Sequence, residues 1–425
     1  MLKVILKNNK LISPFNEPAR DLRVQNKPLW LWQRDILAPF CDKEIEINSL
    51  SELATHDQPT IVCCDHLFFD AELFREFITQ AQKLNHPSQL SFSSTDKTFT
   101  EHVLPLSNSF EQVGEVYLAP LWFFPAKTTL PAQPLVLDML PIEVGYYNVP
   151  AYMAGKMGDL VYHLPGRAFI AIDSWVHLFI ADIIFSLFSR GIRFEQRLKQ
   201  DLFYKLNLFS KAILEGRQLL QTSELVRIGK NCVIDPTAIL HGPTTIGDNV
   251  TIGAGVVIEN SIIGSNTNLS QGVQVMLSVV GDGTFLPFNA AVFMTTLMEK
   301  SIISQNACLQ MCVIGRNTFI GAGTTFTDFN LIPIPIRAMN GQNVLSNSNR
   351  PVLGSAVGHN CRIGAGLVIY PGRMIESDVV LIGSDERHVV RKNVSSKESD
   401  HLKTKYPESH RSQYSGDSQE NLGKW

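Results

Sequence analysis

The chain changes texture near residue 224. Before that point apolar runs of strand length alternate with amphipathic stretches, and beyond it one aliphatic residue recurs at a fixed short interval. From Ile228 the spacing is six, through Ile234, Leu240, Ile246, Ile252 and Ile258. It then settles into steps of five, six and six, running through Ile263, Leu269, Val275, Val280, Leu286, Val292, Leu297, Ile303, Leu309, Ile314, Ile320 and Phe326. All eighteen positions are apolar, and the ladder resumes at Val357, Ile363, Ile369, Ile375 and Leu381. A hexad with one inward aliphatic predicts a three-sided coil with one short strand per side. The Gly, Asn and Asp residues beside the aliphatics provide the positive φ that the corners need.

The fragments IGKNCV, IGDNVT, IGAGVV, IGSNTN, IGRNTF and IGAGTT are variants of one unit. They resemble the hexapeptide-repeat family, which implies a left-handed parallel β-helix over residues 224–382 and assembly as a homotrimer. The interruption at 327–351, containing Gly341 and NSNRP, is too long for a turn and reads as a functional loop. Residues 383–425 hold fifteen charged residues in forty-three with few aliphatics, so this tail is expected to be disordered. Residues 174–223 read as a helical connector, with Asp173 or Ser174 as the first cap and Gly191 separating two helices.

Residues 1–173 read as an α/β domain. Residues 3–6 form a first strand, 13–29 a loop, and a helix starts at Trp30; a buried strand follows at 60–64, then the amphipathic DHLFFDAELFREFITQAQ. Asp65 lies at the carboxyl end of that buried strand, where α/β sheets place ligand and metal groups, and Asp173 lies at a second strand-to-helix junction. Each reading stays open: Asp65 is a metal ligand, a helix cap or a hydrogen-bonded strand-end carboxylate, and Asp173 is a metal ligand or a helix N-cap.

Composition narrows the classes. At 425 residues, 44% hydrophobic and 18% charged, the chain holds two or three globular domains. Thirty-seven Lys plus Arg against forty Asp plus Glu leave no basic excess for a nucleic-acid backbone. Seven cysteines without a CxxC spacing point to free thiols in a reducing, cytoplasmic setting. The most apolar window, 169–188, is interrupted by Asp173, His177 and Asp182 and is a poor membrane span.

In order, NKPL, CCDHLFFD and IDSWVHLFIAD resemble segments of the sugar-phosphate nucleotidyltransferases. The resemblance implies Mg²⁺ held by Asp65 and Asp173, Lys27 as a substrate-binding residue, and a sugar phosphate or nucleotide sugar as ligand. The chain also departs from that family: KNNKLISPF has no glycine where a phosphate-cradling loop belongs, and Ala19 stands where a lysine is expected. With a β-helix behind such a domain, the bifunctional N-acetylglucosamine-phosphate uridylyltransferases are the nearest comparison. IGAGTTFTDFN resembles their segment, which implies substrate contacts at Asp328, Phe329 and Asn330 and an acyl-CoA co-substrate. Their catalytic histidine is replaced by Met276 in one alignment and Gln310 in another, and neither side chain accepts a proton near neutral pH. His359, in VGHNCRIGAG, and His241, in LHGPTTIGD, remain as candidate bases. Two functions follow: a sugar-nucleotide-related transferase, or a non-catalytic descendant that binds a sugar nucleotide or serves as a trimeric scaffold.

Overall fold

Residues 1–149, 158–332, 334–405 and 407–410 are described by the computed structural model of the protein. They divide into two units. One comprises Met1–Ile12, Glu17–Ala181 and Ile332–Asn349; the other comprises Ser13–Asn16, Asp182–Leu331 and the chain from Arg350 onward.

The first unit is built on a mixed sheet. Its main strands are β1 (Leu2–Leu6), β2 (Lys43–Ile47), β3 (Thr60–Cys64), β4 (Ser88–Ser93), β5 (Val116–Phe124) and β6 (Gln133–Leu137), in the order β6-β4-β5-β3-β1-β2. β1 is parallel to β2 and β3, β6 is parallel to β4, and β5 runs antiparallel to both β3 and β4. The carboxyl ends of β1, β3 and β4 therefore share one edge. Every residue of β3 is buried, which is why it reads as a continuous apolar run rather than an alternating one. Helix α1 (Leu29–Leu37) is tied to this edge by buried Gln33, whose amide donates to the carbonyls of Cys64 and Leu67 at 3.0 and 2.7 Å. Helix α2 (Ala71–Leu84) starts on Asp70, which accepts from Leu73 N–H at 2.8 Å, and stops at Asn85 in the left-handed region. The insertion forms a hairpin, Arg337–Met339 against Leu345–Asn347, that packs into this unit rather than with the repeats flanking it in sequence.

The second unit is the coil that the aliphatic ladder predicts. Three parallel sheets of eight strands each stack along it, and this arrangement fits a left-handed β-helix. From Ile246 onward every ladder residue is buried, whereas Ile228 in the terminal coil is 41% exposed because no preceding coil covers it. One corner is a column of left-handed residues, Asn231, Asn249, Asn266, Asn317 and Asn360. Adjacent amides bond along it, Asn231 to Asn249 and Asn249 to Asn266, which offsets the cost of the backbone conformation. The five-residue steps fall at another corner, where Asn260, Leu277, Met294 and Met311 take positive φ to turn in one residue fewer. Beside it Ser261, Ser278 and Thr295 each accept a backbone N–H from the next coil, and Cys312 extends the column.

Two expectations are corrected here. Residues 383–410 are not a featureless tail: Val389–Val390 pairs with Val368–Ile369, Val394 bridges Ile375, and Ser399 caps Val380 N–H at 2.8 Å. Residues 411–425 lie outside the described part. Gly191 does not separate helices, because α3 (Ser189–Gln200) runs through it; a Cβ there would collide with the Asn260 side chain, so close packing explains the glycine. The break falls at Asp201, which caps α4 (Leu202–Glu215) by accepting from Tyr204 N–H at 2.9 Å.

The helical run Trp175–Gln200 is long and apolar enough to cross a membrane by composition, yet 83% of its most apolar window is buried inside the protein. Asp182 on it is fully buried and accepts a 2.6 Å hydrogen bond from Thr296 on the β-helix.

Candidate functional site

Asp65 and Asp173 both reach the carboxyl edge of the first unit, and the fold commits each to protein donors. Asp65, 2% exposed, accepts Asn8 N–H at 2.9 Å and an Arg20 guanidinium N–H at 3.3 Å. Burial raises its carboxyl above the ordinary value, with Asn8 and Arg20 acting against that rise. Arg20, adjacent to the Ala19 that departs from the family pattern, also pairs with Glu46 at 3.5 Å. The sequence reading missed Arg20, since only the fold brings it across to β3.

Asp173 is held by a three-residue cradle. Ser107 Oγ donates to Oδ2 at 2.6 Å, Asn108 N–H donates to the same oxygen at 3.0 Å, and Ser109 Oγ donates to Oδ1 at 2.9 Å. Burial pushes this carboxyl up, but His66, His177 and the Ser107 and Asn108 hydrogen bonds outweigh it, so Asp173 lies below the usual carboxylate range. The N-cap expected of Asp173 is supplied instead by Ser174, which accepts from Val176 N–H at 3.1 Å.

His66 extends this network. Its Nε2 lies 2.9 Å from Ser109 Oγ, which in turn donates to Asp173, so the Nε2–H tautomer completes a chain from imidazole to carboxylate. The other ring nitrogen, Nδ1, is buried and has no hydrogen-bond partner among the described residues. Burial holds this imidazole's pKa below the ordinary histidine value. Over the cluster sits the tip of the insertion hairpin: Gly341 N–H donates to Leu106 O at 3.1 Å, and a Cβ on Gly341 would stand 2.8 Å from Lys10 Nζ and 3.1 Å from Asp173 Cβ.

These residues do not fit Mg²⁺. Both oxygens of Asp173 are taken by hydrogen-bond donors, Asp65 is paired with a cation, and no group of three or more His, Cys, Asp or Glu among the described residues could hold a metal ion. Lys27 pairs with Asp35 on α1. Along the same edge, beyond β4 and β6, lies a cleft of about 460 Å³ lined by Ser93, Thr95, Asp96, Asp138, Glu143 and His163. Its hydroxyls, carboxylates and imidazole lie beside the apolar Val136, Leu137 and Pro141.

In the second unit the two candidate histidines differ. His359 is fully buried, its Nδ1 accepts Arg316 N–H at 2.8 Å, and Phe15 lies 5.3 Å from its ring centroid. With Nδ1 occupied and no exposed face, it is a wall residue of the coil and not an available base. His241 is partly exposed and pairs in register with Glu259. Met276, Phe293 and Gln310 continue that column, so both positions expected for the missing histidine lie on one outer face. Asp328, Phe329 and Asn330 leave the coil together where the insertion begins; they are half-buried, and burial raises the Asp328 carboxyl.

Residues 226–260 match a family model described as bacterial transferase hexapeptide (six repeats), and residues 346–371 match one described as hexapeptide repeat of succinyl-transferase. Repeats of this kind mark a family of acyl and other transferases. No curated protein matches the chain.

Proposed function

We propose that the protein is a hexapeptide-repeat, trimeric binding protein of the cytoplasm whose α/β unit takes a sugar phosphate or nucleotide sugar without nucleotidyl transfer. One observation carries this reading: Asp65 and Asp173, the carboxylates a nucleotidyl transfer would need for metal, are consumed by Arg20 and by the 107–109 cradle. The cleft of Ser93, Thr95, Asp138, Glu143 and His163 supplies polar groups at the edge where α/β sheets receive ligands. The seven free thiols support the cytoplasmic setting. Calorimetric titration of the full chain with nucleotide sugars tests the proposal: binding that is independent of Mg²⁺, with no pyrophosphate released from nucleotide triphosphate plus sugar phosphate, is expected. Pyrophosphate release that disappears in Asp65→Asn would overturn it.

A second reading is favoured by His241, whose half-exposed position beside Glu259 leaves it open to a co-substrate on the outer face of the coil. In this reading His241 takes the proton of an acceptor hydroxyl or amine while acyl-CoA supplies the acyl group and leaves as the free thiol. Thiol release from acetyl-CoA that is lost in His241→Ala would establish it.

A further inference from the structure

Helix α4 of the second unit carries its hydrophobic side outward. Only Leu208 and Ala212 are buried, while Phe203, Ile213 and Leu214 are 87%, 80% and 85% exposed and Leu202, Leu206 and Phe209 are also open to solvent. At the helical angle of about 100° per residue these six side chains fall in one arc roughly 140° wide, interrupted by Ser210 alone. A contiguous apolar face of that size on a globular unit marks a contact surface.

Charge decides what covers it. The segment 189–230 holds nine Lys and Arg against four Asp and Glu, whereas the whole chain carries a net charge of −3. Lys205 lies beside one margin of the arc, and Arg193, Lys199, Lys205 and Arg217 enter no ion pair among the described residues. A second copy placed with this same face against it, in a two-fold contact, would set one basic cluster against another, which opposes that mode of pairing. An anionic surface with an apolar interior beneath it satisfies both the lysines and the exposed aliphatics.

We propose that α4 is an interfacial helix that seats the protein on an anionic lipid surface, with Phe203, Leu206, Ile213 and Leu214 in the acyl boundary and the neighbouring Lys and Arg at the headgroups. The helix lies on the membrane and does not span it.

Flotation of the full chain with phosphatidylcholine vesicles, with and without about one-third phosphatidylglycerol, tests this. Binding at least roughly ten-fold stronger to the anionic vesicles is expected, weakened by high salt as surface charge is screened. It should fall by at least about ten-fold in Phe203→Ser combined with Leu214→Ser, both fully solvent-facing changes that leave the thermal melt in place. No binding to anionic vesicles, or equal binding by the double variant, would overturn the proposal. So would a double variant whose only effect, by light scattering, is a smaller assembly, because the face would then be an interface between copies.

Discussion

Ser107 and Asp173 are sixty-six positions apart in the chain, and the hydroxyl of one lies 2.6 Å from the carboxylate of the other. That bond, with those of Asn108 and Ser109, fastens the 105–110 segment to the end of the Phe169–Ala171 strand. Ser107→Ala should cost about 1–2 kcal/mol, and Asp173→Asn about 2–3 kcal/mol because an amide N–H₂ would face hydroxyl and N–H donors inside the protein. Urea unfolding of the two variants measures this; values within about 0.5 kcal/mol of wild type would show that the cradle does not hold the loop.

Because the folded Asp173 carboxyl titrates below its unfolded value, its stabilisation is fully present above the ordinary carboxylate pKa of about 4 and disappears as pH falls through the depressed folded value. The stability gap between wild type and Asp173→Asn should therefore be flat from neutral pH down to about 5 and close below about 4. A gap that widened on acidification would assign the opposite sign to this group.

Gly341 has no room for a side chain: a Cβ would press on Lys10, Asn108 and Asp173. Gly341→Val should lift the hairpin tip off the cluster, raising amide exchange at 337–347, while the β-helix keeps its protection. Mass-spectrometric hydrogen exchange reads both regions in one experiment, and unchanged protection of the hairpin would refute the packing.

His359→Ala should act as a core deletion rather than the loss of a base. It strands Arg316 N–H and opens a void beside Phe15, for an expected loss of about 2–4 kcal/mol. Denaturant titration, paired with the acyl-CoA assay, separates the two roles: full stability with abolished thiol release would make this histidine catalytic after all.

The coil was readable because its period is set by geometry that every turn repeats. Leu286 and Ile303 lie one coil apart at the same inward position, so seventeen residues of sequence carry the whole register. Val390 and Val394 belong to the same columns but lie in charged sequence off the five-and-six spacing, and only the strand they pair with identifies them. The Asp173 cradle left even less trace. Ser107 and Ser109 are ordinary loop residues until the fold brings them to a carboxylate far along the chain, and Arg20 meets Asp65 by the same long-range closure. Burial also reverses a local signal at His359, where a motif-like turn encloses the imidazole that the sequence offered as a base.

The insertion hairpin gives the α/β unit an unusual history during synthesis. That unit draws on Met1–Ile12, Glu17–Ala181 and Ile332–Asn349, so its last piece leaves the ribosome only after most of the repeats have been made. At translation rates of roughly 5–20 residues per second the earlier segments wait on the order of ten seconds or more, with the Lys10, Asn108 and Asp173 cluster uncovered until Gly341 arrives. That cluster is therefore closed late, after the coils up to Phe326 have been translated and before those from Ala356 onward.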